Sequence, residues 1–150
     1  MAPAVTRLFS IGVPIPMQTR TILMSISSRF TEAIYGGAKL HEFRRVRTTL
    51  SRGDRVLIYE PLPVGLITGE FVVGAVLFGS PSDLVHIEAD PWSRSAAKQY
   101  LQGASTASAV EILQAVKWDK GIKVQEVLPG TRPPQSYVFI KGNRQWGSLP

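Results

Sequence analysis

From residue 64 to residue 78 the chain reads VGLITGEFVVGAVLF, with a single charge, Glu70, and glycines at 65, 69 and 74. A run this rich in β-branched and aromatic residues is a strand. Glycines inside it mark bends or bulges, the devices by which a sheet curves toward closure. The rest of the pattern fits a curved sheet. Short apolar runs predict strands over 21–26, 39–46, 55–59 and 136–140. The stretch 109–118 (AVEILQAVKW) favours a strand by its β-branched content, with a helix left open. Helical spacing at Phe30, Ala33 and Ile34 predicts a helix over 29–35, stopped by Gly36-Gly37. Ser80-Pro81 opens a second helix to about Ile87, and a third is expected over 93–101. Short strands with few helices predict an α+β fold, a small mixed β-barrel with flanking helices.

The chain has 150 residues, the size of one domain. The expected limits are an N-terminal extended arm or disordered leader over 1–20, a domain over 21–141 and a tail over 142–150. Pro3, Pro14 and Pro16 argue against regular structure in the leader, no signal-peptide pattern follows Arg7, and Met17 is an alternative start. The absence of cysteine excludes disulfides, thiolate metal sites and a cysteine nucleophile, and fits a cytoplasmic setting. The longest apolar run, 71–79, is far below the roughly 20 residues of a membrane helix, so no membrane partner is expected. Seventeen Lys and Arg against eleven Asp and Glu leave +6, a charge that favours anionic partners, nucleic acid first and an acidic protein second.

The densest polar cluster is GAKLHEFR, from Gly37 to Arg44. Side chains alternate along a strand, so Glu42 and Arg44 share one face while His41 and Phe43 take the other. Lys39 is out of phase and joins Glu42 only from a preceding turn, which Gly37 permits. Such a cluster is either a solvated strand end or a site. As a binding site, Arg44 offers a bidentate fork and Lys39 a point charge for phosphate. As a catalytic base or nucleophile, Lys39 needs burial or a neighbouring cation, and pairing with Glu42 works against that role. Arg44, Arg45, Arg47 and Arg52 form the strongest basic cluster, which adjoins the motif and is either a phosphate track or a solvated face.

Elsewhere the signals are weaker. His41 and His86 lack metal-ligand spacing, and no Walker or GxGxxG loop is present, so neither metal nor cofactor is expected. Ser25, His41 and Asp54 make a triad on paper only, without a G-x-S-x-G elbow. Tyr35, Trp92, Trp118 and Trp146 are candidate base-stacking aromatics. Tyr35 and Trp118 are assigned to the core, and Trp146 to the surface.

The spacing GxKxxExR after a short helix resembles the signature of the ASCH domain, a branch of the PUA-like β-barrels. ILMSISSRFTEAIYGGAKLHEFRR resembles that family's opening strand, helix and motif strand. GDRVLIYEP, GLITGEFVVGAVLFGSP and PPQSYVFI resemble its later blocks, in order, over about 21–141. Gly37, Lys39, Glu42 and Arg44 match the signature. The resemblance implies a cleft for single-stranded RNA or a modified nucleoside, bound through Lys39, Glu42 and Arg44. It also implies an alternative activity. Some relatives are amidohydrolases that deacetylate N4-acetylcytidine with the motif lysine and a threonine where this chain has Glu42, so this chain departs at that position. Another relative is described as a ribonuclease. On the enzyme reading Lys39 and Glu42 are the catalytic candidates.

Overall fold

The computed structural model describes residues 20–141. Its six strands are β1 (Thr21–Ser25), β2 (His41–Arg44), β3 (Arg55–Glu60), β4 (Leu66–Gly79), β5 (Ala107–Ile122) and β6 (Tyr137–Ile140). Helices α1 (Ser28–Tyr35), α2 (Pro81–Leu84), α3 (Pro91–Leu101) and α4 (Val124–Val127) accompany them, with a 3-10 turn at Val85–Ile87. All six strands belong to one sheet in the order β2-β5-β4-β3-β1-β6. Only β1 and β3 run parallel.

The sheet curls into a half-barrel because its two longest strands bend. β4 and β5 pair with three shifts of register. A Cβ at Gly69 would collide with the Val116 carbonyl and the Tyr35 ring, and one at Gly74 with the Glu111 carboxylate. Glycine is therefore required where partner groups press against the bending backbone. Gly65 lies just outside β4, at φ 66° in the turn from β3.

Alternation places apolar side chains on both faces. Ile22, Met24, Val56, Ile58, Phe71 and Val110 pack on one face with Ile34 of α1. Leu23, Leu57, Ile67 and Trp118 pack on the other, covered by Val124 and Val127 of α4. A third cluster joins Phe43, Leu84, Leu101 and Ala109 beneath α2 and α3.

Three elements differ from expectation. The motif strand spans only His41–Arg44, not 39–46. Gly37 turns left-handed at φ 84°, and the backbone N–H groups of Ala38 and Lys39 both donate to the Ala33 carbonyl at 2.9 and 3.0 Å. Lys39 thus spends its N–H on closing α1 rather than on the sheet. The stretch 109–118 is a strand, extended at both ends to Ala107–Ile122. Helix α4 was not foreseen, because four residues give no periodicity to read. The predicted leader and tail lie outside the described residues, apart from Arg20 at the boundary.

Candidate functional site

The edge strands β2 and β6 do not pair with each other, so the half-barrel has an open seam. Side chains bridge it. The Tyr137 hydroxyl meets Thr48 Oγ1 at 3.1 Å and accepts from the Thr49 N–H at 3.2 Å. Partial burial pulls the Tyr137 pKa up, but bonds from Thr48 and Thr49, aided by the charge of Arg44, outweigh it and hold it below the ordinary tyrosine value. A cleft of about 270 Å³ opens in this seam. Its walls are the Ser25–Ser27 connection, Phe30, the motif strand, Pro61, Gln135, and Ala97 and Tyr100 of α3.

Sheet register aims the motif residues. Glu42 pairs with Val110, which belongs to the cluster shared with α1, whereas Phe43 pairs with Ala109 in the cluster beneath α3. Glu42 and Arg44 therefore face the same way, as alternation predicts. Lys39 comes to them from the turn after α1. Glu42 Oε1 lies 3.4 Å from Lys39 Nζ and Glu42 Oε2 lies 3.2 Å from Arg44 Nη2. Lys39, Glu42 and Arg44 are only 4, 6 and 8 % exposed, so three charges are almost fully desolvated side by side. Lys39 Nζ also donates to the His41 carbonyl and lies 5.6 and 5.1 Å from the Phe30 and Phe43 ring centres. Arg44 Nη2 reaches the Ser25 carbonyl at 3.4 Å, while its Nε is buried without a hydrogen-bond partner.

A second buried carboxylate braces this strand from behind. Glu88, 1 % exposed, accepts from the Leu40 N–H at 3.4 Å and holds His41 Nδ1 at 2.9 Å. Its own carbonyl accepts from Arg94 Nε of α3 at 2.9 Å. His41 therefore ties the motif strand to α3.

The other candidates lie elsewhere. Arg45 donates to the Tyr100 and Gln102 carbonyls at 2.7 and 2.9 Å, and the Arg47 guanidinium stacks 3.9 Å from the Phe78 ring centre. Arg52 lies in the turn before β3, and none of these three arginines lines the cleft. Ser25 Oγ donates to the Pro134 carbonyl, His41 pairs with Glu88 and Asp54 with Arg20, so the paper triad is three separate interactions. Tyr35 packs against the core with its hydroxyl on Thr68 Oγ1 at 2.8 Å, and Trp118 is buried with its indole N–H donating to Glu70. Trp92 is exposed and Trp146 is outside the described residues.

Sequence reading missed Phe30, Tyr100, Gln135 and Glu88. Only Phe30 carried a signal, as the first residue of the Phe30, Ala33, Ile34 helical spacing. A wider groove of about 700 Å³ lies between α2 and α3, lined by His86, Arg94 and Lys98 among others. Its polar side chains are all exposed, so it desolvates no charge and carries less chemistry than the smaller cleft.

The cleft presents two cationic donors around one anionic acceptor, between aromatic walls. That set suits a planar ligand whose edge alternates acceptors with a donor. Among the described residues no group of three His, Asp or Glu is placed to hold a metal, and no helix is long and apolar enough to cross a membrane.

No family model and no curated protein matches the sequence. In three dimensions the chain is similar to the crystal structure of ASCH from Zymomonas mobilis. The TM-score is 0.71 at 24 % identity, covering 81 % of this chain and 87 % of that one. A serine-to-alanine variant of the same protein gives 0.72 at 22 % identity, covering 86 % and 92 %. The chain has the ASCH fold, a mixed α+β half-barrel.

Proposed function

On this ASCH fold, we propose that the chain binds single-stranded RNA or a modified nucleoside, seating one base over Lys39, Glu42 and Arg44. The observation that carries the reading is the buried charge network at the floor of an open, aromatic-walled cleft. Burying ions costs several kcal/mol each, so a fold gains little stability from such a network compared with apolar packing. Strong desolvation inside a cleft instead marks a site. About 270 Å³ is just below the usual range for small-molecule pockets and suits one base or nucleoside, not a duplex. Uracil presents that alternation, an N3–H donor for Glu42 between O2 and O4 acceptors for Lys39 and Arg44, while cytosine offers an amino donor with a ring-nitrogen acceptor beside it. The net +6 supplies attraction for the phosphates outside.

Hydrolysis of an acylated pyrimidine nucleoside is the second reading, favoured by the burial of the motif lysine. Against it, Lys39 Nζ is engaged by Glu42 and the His41 carbonyl, so neither a free base nor a free nucleophile is presented. Calorimetric titration with cytidine, N4-acetylcytidine and the other nucleosides separates the two. Binding that Lys39→Ala and Arg44→Ala each weaken at least tenfold, without release of acetate, supports recognition. Turnover of N4-acetylcytidine that Lys39→Met abolishes supports hydrolysis. The absence of both binding and turnover across the panel contradicts the cleft reading.

A further inference from the structure

We propose that Trp92, Phe30 and Arg29 form a second base-stacking subsite at the mouth of the cleft, so that the preferred ligand is a stretch of single-stranded RNA of two or more nucleotides rather than a free nucleoside. This rests on the cleft reading above and extends it outward.

Trp92, on the first turn of α3, is 45 % exposed, more than any other Phe, Tyr or Trp among the described residues. Its indole lies 6.1 Å from the Phe30 ring, centre to centre, with the planes tilted by 53°. Phe30 is itself a wall of the cleft, with Lys39 Nζ near its ring. The same phenyl ring thus belongs to the cleft and to the surface beyond it. The Arg29 guanidinium sits over both rings, 5.0 Å from Phe30 and 5.5 Å from Trp92. Among the described residues Arg29 forms no ion pair, which leaves its charge to a phosphate.

The platform is held in place. The Asp90 carboxylate caps α3 by accepting from the Ser93 N–H at 2.8 Å, and Arg94 ties the same turn to the Glu88 carbonyl. An indole fixed at its base and left half exposed beside a stacked guanidinium is the construction that single-strand binders use, since every base has a face to stack whatever its edge. Continuity through Phe30, together with the positive charge of Arg29, selects the next nucleotide of the same strand as the occupant. The cleft would read one base by its edge, and the shelf would hold its neighbour without regard to sequence.

The test uses the full chain, fluorescein-labelled RNA tetranucleotides of each base, and the matching nucleosides as competitors. The wild-type protein is expected to bind its preferred tetranucleotide at least tenfold more tightly than the corresponding nucleoside. Trp92→Ala should cost the tetranucleotide about tenfold and leave the nucleoside unchanged, while Trp92→Phe restores most of the loss. Arg29→Ala should lower tetranucleotide affinity and flatten its salt dependence. Lys39→Ala should weaken both ligands. Tetranucleotide affinity unchanged in Trp92→Ala, or lowered in step with the nucleoside, would overturn the shelf. Nucleoside binding with no gain from added nucleotides would overturn the shelf and leave the cleft reading standing. Binding of neither ligand would remove both.

Discussion

Glu42 decides the charge balance of the cleft. It separates two buried cations, and without its negative charge Lys39 and Arg44 would face each other almost fully desolvated. Removing one partner of a buried ionic set is strongly destabilising, by up to about 3–5 kcal/mol. Glu42→Gln keeps an acceptor and should cost toward the lower end of that range, measured by denaturant unfolding. It should also erode selectivity among bases more than overall affinity, because it exchanges one carboxylate oxygen for an amide donor, weakening a pairing partner, and also removes a repulsive charge toward phosphate.

Tyr35 gives a second prediction at the same scale. Burial is the largest cause raising its hydroxyl to a pKa of about 12 from 10.0, opposed by the bond to Thr68. A folded-state pKa above the unfolded value stabilises the protein fully below pH 10, and that contribution is lost as pH rises toward 12. Tyr35→Phe should cost roughly 1 kcal/mol at neutral pH through the lost hydrogen bond and flatten the alkaline fall in stability. An equally steep alkaline fall in the variant would show that another group titrates there. Residues 42 and 44 were legible because a period of two puts them on one face, and Lys39 because Gly37 allows the turn. Glu88 was not, since nothing local marks a carboxylate that meets His41 from 47 positions away.

At the level of elements, the long glycine-bearing strand was the most readable feature, and its glycines are needed where backbone and side chains crowd it. Gly69→Ala would drive a methyl group into the Val116 carbonyl and the Tyr35 ring. Overpacking of this kind costs about 1–3 kcal/mol, and thermal unfolding should show a loss toward the upper end because a carbonyl cannot yield as a side chain does. Glu88→Ala tests the brace between β2 and α3. It should lower stability and weaken nucleoside binding while leaving the order of preference among bases unchanged, because Glu88 does not line the cleft and acts on it only from behind, through Leu40 and His41. A changed preference would mean that Glu88 contributes to recognition. The strands on either side of the cleft could be read from alternation. The cleft itself could not, because it arises where β2 fails to meet β6, and strand order is a property of the assembled sheet.

The whole molecule adds the long-range term. On the proposed reading, the net charge of +6 would attract RNA from a distance, and phosphate contacts on single strands give a slope of log K against log salt near −0.7 per contact. Affinity for short RNA should therefore fall between about 50 and 200 mM salt. Arg47→Ala and Arg52→Ala should each flatten that slope by about one contact with base preference intact, since neither side chain lines the cleft. An unchanged slope in both would show that they belong to a solvated face. The continuous arginine track read from sequence has no counterpart at the cleft, where Arg44 alone of the four enters. Neighbours in sequence diverge here because the chain leaves the sheet after Arg44, sending Arg45 to the end of α3 and Arg47 to Phe78.

The central claim is that the cleft around Lys39 seats a base. Titrating the isotopically labelled protein with uridine and with cytidine, followed by amide chemical shifts, tests it directly. Saturable changes should concentrate at Ser25, Ser27, residues 39–44, Tyr100 and Gln135, and should vanish in Lys39→Ala. Shifts centred instead on His86 and Lys98 in the α2–α3 groove, or no shifts with any nucleoside, would contradict the account.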